Sequence, residues 1–260
     1  MSGTQALAGK VAWVNGGAGA VGAACCAGLA RAGAQVVMSG RSAAGLEGAM
    51  SRLTDAGRIE PLLVDVSRSR AVLEAAAQIE QRHGRIDIVV NSAGINPSKR
   101  HWDNLTVEDW NETVNVNLNG MFYACQAAMR GMRERRDGVI INIGSWAGRF
   151  AAYFAGPAYS ATKRAVLALT ETINMEECVN GIRATSISPA GIDTPLLDKR
   201  PQPPSAEVRA GLLKPKDIAD VCVYVASLPP HVCINEILMS PVLNSAYLGE
   251  LETQRRPAKG

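Results

Sequence analysis

Apolar and polar positions alternate along the chain in two periods. Short unbroken apolar runs, "KVAWV", "QVVMSG", "IEPLLVDV", "IDIVVNSAG", "GVIINIGS", "RATSISP" and "INEILMS", are separated by longer stretches whose apolar residues recur at helical spacing. Those stretches are "AVGAACCAGLARAG", "AAGLEGAMSRLTDAG", "RAVLEAAAQIEQRHG", a segment from Val107 to Arg135, one from Pro157 to Asn180 and one from Lys216 to Ser227. Strands that are apolar on both sides and joined by helices require a parallel sheet covered on both faces, so the pattern predicts an α/β, doubly wound architecture. In such sheets ligands bind at the carboxyl ends of the strands. The one long irregular piece, "TPLLDKRPQPPSAEVRAG", is interrupted by Pro201, Pro203 and Pro204 and is expected to act as a lid over residues 195–213. Residues 250–260 read as a flexible tail.

The glycine-dense stretch "VNGGAGAVGAA" lies between the first strand and the first helix. A strand, a glycine turn and a helix N-terminus together present free backbone N–H groups and a positive dipole to a pyrophosphate. Two registers fit: Gly17-x-Gly19-x-x-Gly22, and the longer-spaced Gly16, Ala20, Gly22. A turn that only reverses the chain is the plain alternative. The second strand ends "VVMSGRS", with Gly40 where an acid would hold the ribose hydroxyls of NAD, followed by Arg41. An arginine there can pair with the 2′-phosphate of NADP, so NADP(H) is expected over NAD(H). A solvated surface arginine is the alternative.

"PAYSATKRAV" puts Tyr159 and Lys163 one helical turn apart, and Ser145 closes the strand "GVIINIGS" upstream. A free tyrosine, with a pKa of about 10, is a poor base near neutrality. A neighbouring ammonium would favour the phenolate and bring it into range, while Ser145 could bond a reacting oxygen.

With these residues in place the chain resembles the short-chain dehydrogenase/reductase family over almost its full length. The matching pieces are Asn15 to Gly22, "DVS" at Asp65, "NSAG" at Asn91 to Gly94, "NVNLNG" around Asn117, "INIGSWAG" around Ser145, Tyr159-x-x-x-Lys163 and "SPAGIDTP" at Ser188 to Pro195. The resemblance implies a single Rossmann-like domain and selects the longer glycine register, leaving Gly17 and Gly19 as permissive turn residues. It implies that Tyr159 is the acid/base, that Ser145 stabilises the substrate oxygen, that Lys163 binds the nicotinamide ribose, and that Asn117 holds a water linked to Lys163. Cofactor contacts carried over in the same way are Asn15, Gly16, Ala20, Val21, Gly22, Asp65, Val66, Asn91, Ala93, Gly94, Pro189, Ile192 and Thr194. Three positions depart from the family pattern: Asn15 for threonine, Ala20 for glycine, and Ala190 for the glycine after Pro189. An asparagine amide could still tie the loop to "NSAG".

Between the serine and the tyrosine lie Trp146, Phe150, Tyr153 and Phe154. Trp146, Phe150 and Tyr153, with Ser145 and Tyr159, are expected to contact substrate, which suggests an aryl or bulky group; rings filling core or a subunit contact are the alternative. The substrate expected is a small carbonyl compound or alcohol, with 3-hydroxy acid, serine-type or 3-oxoacyl substrates as alternatives, and a cofactor sensor or scaffold as a non-enzymatic one. Arg149, Lys199 and Arg200 could favour an acidic substrate, or be solvated.

Composition removes other classes. A formal net charge of +3 over 260 residues gives no nucleic-acid footprint. The three histidines and six cysteines show no metal-ligand or C-x-x-C spacing, so no metal is expected, and adjacent Cys25 and Cys26 read as buried small residues. No run is long enough to span a membrane, and the N-terminus carries no leader pattern, so a cytoplasmic protein without membrane partners is expected. Ala158, Ala161, Ala165 and Ala168 form a small-residue stripe on the tyrosine helix, which with the resemblance suggests a homodimer or homotetramer.

Overall fold

The structure is a computed structural model that describes residues 5–53, 56–244 and 247–249. Seven parallel strands form one sheet in the order β3-β2-β1-β4-β5-β6-β7. They are β1 Val11–Asn15, β2 Gln35–Gly40, β3 Ile59–Leu63, β4 Ile88–Asn91, β5 Gly138–Ile143, β6 Ile182–Pro189 and β7 Glu236–Met239. The helices are α1 Ala20–Arg31, α2 Ala43–Met50, α3 Ser69–His83, α4 Val107–Val114, α5 Gly120–Arg135, α6 Trp146–Arg149, α7 Gly156–Glu177, α8 Ala206–Ala210 and α9 Pro215–Ala226. Two apolar layers, one on each face of the sheet, bury the alternate side chains of the central strands, as the unbroken apolar runs require. On one face α1 lies against α9, where Gly28 lets Val223 approach and Cys25 and Cys222 place their free thiols 3.6 Å apart.

Four elements differ from the periodic reading. The helix begun at Ala43 ends at Met50, where the Ser51 hydroxyl turns back to the Gly48 carbonyl and competes with helix continuation. Strand β3 carries Pro61, which is tolerated because the strand stands at the sheet edge. The stretch from Val107 to Arg135 is not one helix: Asn115–Asn119 widens into a π-turn between α4 and α5. Within the irregular segment 195–213 there is a 3-10 turn at Pro195–Lys199 and the short helix α8, tied together by Arg209 on Asp198 at 2.8 Å. The expected tail at 250–260 lies outside the described residues.

The strand order reverses between β1 and β4, and the chain crosses to opposite sides of the sheet from there. That switch leaves a crevice at the carboxyl ends of these strands, where the glycine loop, the "NSAG" segment and the end of β5 meet.

Candidate active site

Gly16 has φ +73°, and a Cβ there would sit 2.5 Å from the Ala93 nitrogen. Only glycine permits that contact between the loop and the segment after β4. A Cβ on Gly22 would overlap the Gly16 carbonyl, so both glycines of the longer register are packing requirements. Gly17 is not merely permissive, because a side chain there would run into Met38. Asn15 donates to Asn91 Oδ1 at 3.1 Å and accepts from Ser39 Oγ at 3.0 Å. Asn91 passes the connection on to Asn142 Oδ1 at 2.8 Å, and Asn142 to Thr170 Oγ1 at 3.0 Å. These four strand residues stand opposite one another in the sheet register, forming a buried polar row above the apolar core.

Helix α1 starts at Ala20 behind Gly19, with no side-chain cap and no acidic residue in its first turn. Its leading N–H groups therefore offer donors to an anion, and the adjoining Gly94 carries no side chain to fill the crevice. Residues Asn15 to Gly22 and Asn91 to Gly94 fit a dinucleotide on these grounds. Asp65 and Val66 follow β3, with Asp65 turned onto Ser67 at 2.7 Å. Arg41 reaches across to α4, where its Nη1 lies 3.5 Å from Glu112 of that helix.

Ser145 ends the excursion from β5 and caps α6, accepting from the Ala147 N–H at 3.2 Å. Tyr159 and Lys163 come from the first two turns of α7, which Pro157 opens. Ser145, Tyr159 and Lys163 line one cleft of about 160 Å³ with Val21, Gly94, Pro189, Ile192 and Thr194. The Lys163 ammonium is 5.6 Å from the centre of the Tyr159 ring and donates to the Ile143 carbonyl at 2.7 Å. Burial lowers its pKa to about 8.

Tyr159 behaves differently from the sequence expectation. Burial raises its pKa, and the groups that oppose burial are the Ser145 hydroxyl, Arg200 and Arg100, with Lys163 not among them. Asn117 sits in the π-turn and clasps the backbone of Ile95, accepting from its N–H at 2.8 Å and donating to its carbonyl at 3.0 Å. It also approaches Thr162, at 3.3 Å, and has no direct bond to Lys163.

Of the rings expected against substrate, Trp146 lines the cleft, and so does Phe154. Phe150 packs on Trp146 with ring centres 4.8 Å apart, and Tyr153, 86% exposed and stacked on His101, lines an adjoining cavity of about 620 Å³ that shares Trp146, Phe154 and Arg200 with the cleft. The short 3-10 turn at Tyr153–Ala155 rotates successive side chains away from each other, so Phe154 reaches the cleft while Tyr153 reaches only the adjoining cavity. Sequence reasoning missed Arg100, which is buried in the cleft wall; nothing in "NPSKRHW" separates it from its neighbour Lys99. Arg149 pairs loosely with Glu236 at 3.9 Å, outside the cleft. Among the described residues no group of His, Cys, Asp and Glu side chains is arranged to hold a metal, and no helix is long and apolar enough to cross a membrane.

A family model described as short chain dehydrogenase matches residues 10–204. An uncharacterized oxidoreductase of Staphylococcus saprophyticus is 36% identical over 238 residues, covering 90% of this chain and 97% of the relative. Among solved structures, the closed form of a serine dehydrogenase complexed with NADP+ superposes with TM-score 0.81 at 30% identity, covering 90% of this chain and 96% of that one. A metagenomic short-chain oxidoreductase in complex with NADP gives TM-score 0.78 at 28% identity, covering 92% and 100%.

Proposed function

The chain belongs to the short-chain dehydrogenase family and is an oxidoreductase, and from that premise we propose that it interconverts a ketone and a secondary alcohol using NADP(H). The observation that carries this reading is the convergence of Ser145, Tyr159 and Lys163 on one cleft beside the glycine loop. When bound, the dinucleotide supplies or accepts the hydride at the carbon of the reacting C–O group.

The chain's own residues handle the oxygen and its proton. In reduction the Ser145 hydroxyl donates to the carbonyl oxygen and polarises it, and the Tyr159 hydroxyl gives that oxygen its proton as the carbon is reduced. In oxidation the same proton returns to the Tyr159 oxygen. Burial raises the pKa of the Tyr159 phenol and so keeps it protonated, the form that donates in reduction, while the Ser145 hydroxyl, Arg200 and Arg100 limit the cost of the phenolate left behind. Lys163 spends one of its three N–H donors on Ile143, and the others are free for the ribose hydroxyls of the cofactor. Asn117, by gripping Ile95, holds the "NSAG" segment against the π-turn beside Lys163.

Cofactor contacts are assigned to Asn15, Gly16, Ala20, Val21, Gly22, Asp65, Val66, Asn91, Ala93, Gly94, Pro189, Ile192 and Thr194, with Arg41 on the 2′-phosphate. Two neighbouring structures carry NADP or NADP+, which supports the nicotinamide dinucleotide class. The preference for NADP rests on Arg41 and on Gly40 at the end of β2. Trp146 and Phe154 are the aromatic walls of the cleft, and Tyr153 lines the cavity beside it. The chain is treated as one catalytic unit in which segment 195–213 covers the cleft through Leu196, Leu197 and Arg200. A groove between α5 and α7, lined by the exposed Phe122 with Met129, Leu169 and Ile173 and bordered by Arg133 and Glu177, suits association as a dimer or tetramer.

The test is consumption of NADPH and NADH by purified protein against a carbonyl panel, with Tyr159→Phe alongside. Turnover with NADPH that falls by about 10²–10⁴-fold in the variant, with cofactor affinity retained, is the expected result. Full activity in Tyr159→Phe would sink the mechanism.

A further inference from the structure

Three cations line the cleft, Arg100, Lys163 and Arg200, and among the described residues no aspartate or glutamate lines it. Two partly buried arginines elsewhere meet carboxylates, Arg85 on Asp87 and Arg209 on Asp198, both at 2.8 Å, whereas the buried Arg183 bonds only the Leu228 carbonyl. The two cleft arginines also have no carboxylate partner among the described residues. Arg100 is 3% exposed and spends its donors on backbone carbonyls, Lys199 O at 2.6 Å and Phe154 O at 3.4 Å, while its Nε has no partner. Arg200 lies over the Phe154 ring, its guanidinium carbon 4.3 Å from the ring centre, and forms no side-chain hydrogen bond or ion pair with a described residue.

Both guanidinium groups are destabilised by burial, Arg200 also repels Arg100, and the group that favours their charge is the phenol oxygen of Tyr159. Two like charges held together without an anion are costly, and the cost is recovered when an anion enters between them. Arg100 fixes the arrangement: its bonds to the carbonyls of Lys199 and Phe154 anchor both the backbone beside Arg200 and the ring under it. Arg200 keeps its planar fork of donors open to the cleft.

We propose that the substrate is a carboxylate, an oxo or hydroxy acid whose anionic end is held by Arg200 against the charge of Arg100 while its reacting oxygen lies between Ser145 and Tyr159. This rests on the oxidoreductase reading above and narrows it. A flat, two-oxygen carboxylate matches the guanidinium fork and is compact enough for a cleft that the nicotinamide must share. The position over Phe154 limits the rotation of Arg200, so recognition is by a preset group.

The test is a matched panel of 3-hydroxy acids and their methyl esters, oxidised with NADP+ by the full chain, by Arg200→Gln and by Arg200→Lys. Acids are expected to exceed esters by about 10–100-fold in kcat/KM, from charge-assisted pairing. In Arg200→Gln that preference should disappear, mainly through KM of the acid, with Arg200→Lys recovering part of it and NADPH affinity moving less than about twofold. Esters turned over as well as acids, in a Tyr159-dependent reaction, would leave the oxidoreductase reading standing and overturn the anion site. An acid preference that survives Arg200→Gln, with NADPH affinity lost, would assign the arginines to the cofactor and overturn it too. Thermal shifts of the NADP+ complex with the same acids and esters read binding without turnover. Acid-specific shifts lost in Arg200→Gln would support the site even on an inactive panel, which would count against the oxidoreductase reading alone; equal shifts from acids and esters, or none, would overturn the site.

Discussion

Replacing Lys163 with methionine should abolish turnover and make the protein more stable. The side chain is 5% exposed, and burial brings its pKa from 10.5 down to about 8. At about 1.4 kcal/mol per pH unit, keeping that ammonium charged at neutral pH costs the fold about 3 kcal/mol. Methionine keeps the unbranched stem and the volume but loses the bond to the Ile143 carbonyl, worth about 1 kcal/mol. The net gain is about 2 kcal/mol, or about 5 °C in Tm for a chain of this size. The sign of the pH dependence follows from the depressed pKa. Between about 8 and 10.5 the unfolded chain binds more protons at this lysine than the folded one, so the wild-type protein gains stability as pH rises through that window. The variant lacks that gain. Its advantage should therefore be full below pH 8 and shrink towards pH 10. Urea unfolding of cofactor-free protein at several pH values, wild type against Lys163→Met, gives the difference directly, since every other group titrates alike in both. A variant less stable at pH 7, or a gap that does not change with pH, would refute the reasoning.

Glu112→Gln should release Arg41, whose pairing at 3.5 Å joins two exposed side chains and is worth less than about 1 kcal/mol. KM for NADPH should fall by about twofold to fivefold while that for NADH stays put, and Arg41→Ala should move NADPH the other way; equal effects on both cofactors would remove Arg41 from the 2′-phosphate. Asn142→Ala should cost about 1–2 kcal/mol in denaturant unfolding, because the buried Asn91 amide loses its oxygen acceptor and keeps only Cys125 Sγ at 3.3 Å, while the Thr170 hydroxyl retains its bond to the Val166 carbonyl. Gly16→Ala and Gly9→Ala start from similar φ values, +73° and +76°, but a Cβ meets Ala93 only at Gly16. Gly9→Ala should therefore cost about 1 kcal/mol in thermal unfolding, and Gly16→Ala clearly more, with loss of cofactor binding; equal costs would mean that the loop contact is unimportant.

What could be read in the sequence was what local spacing encodes. The strand and helix alternation located the sheet and hence the crevice, and Tyr159 and Lys163 share a face because a helix repeats nearly every four residues. The π-turn at Asn115–Asn119 was hidden, since one extra residue in a turn leaves the apolar pattern on either side looking continuous. The side-chain directions of Phe150, Tyr153 and Phe154 were equally hidden, because the 3-10 turn between α6 and α7 follows neither period. The polar row of Ser39, Asn15, Asn91 and Asn142 needs the register of four strands, to which distant parts of the chain contribute.

The electrostatics of Tyr159 show the same limit at the level of chemistry. From spacing alone, Lys163 is the obvious cation beside the phenol, yet its ammonium is itself desolvated and turned to Ile143. The cations that act on the Tyr159 oxygen are Arg200, from the segment after β6, and Arg100, from the loop after β4, which meet only because both stretches line the cleft at one strand end. One pair of side chains therefore bears on two tasks, easing the phenolate left after proton donation and attracting an anionic substrate. The two tasks oppose each other: a bound carboxylate neutralises the arginines and withdraws their help from the phenolate. With substrate in place Tyr159 holds its proton more firmly than in the free enzyme, so oxidation of an acid, where the tyrosine oxygen must accept a proton, should need a higher pH than oxidation of the corresponding ester.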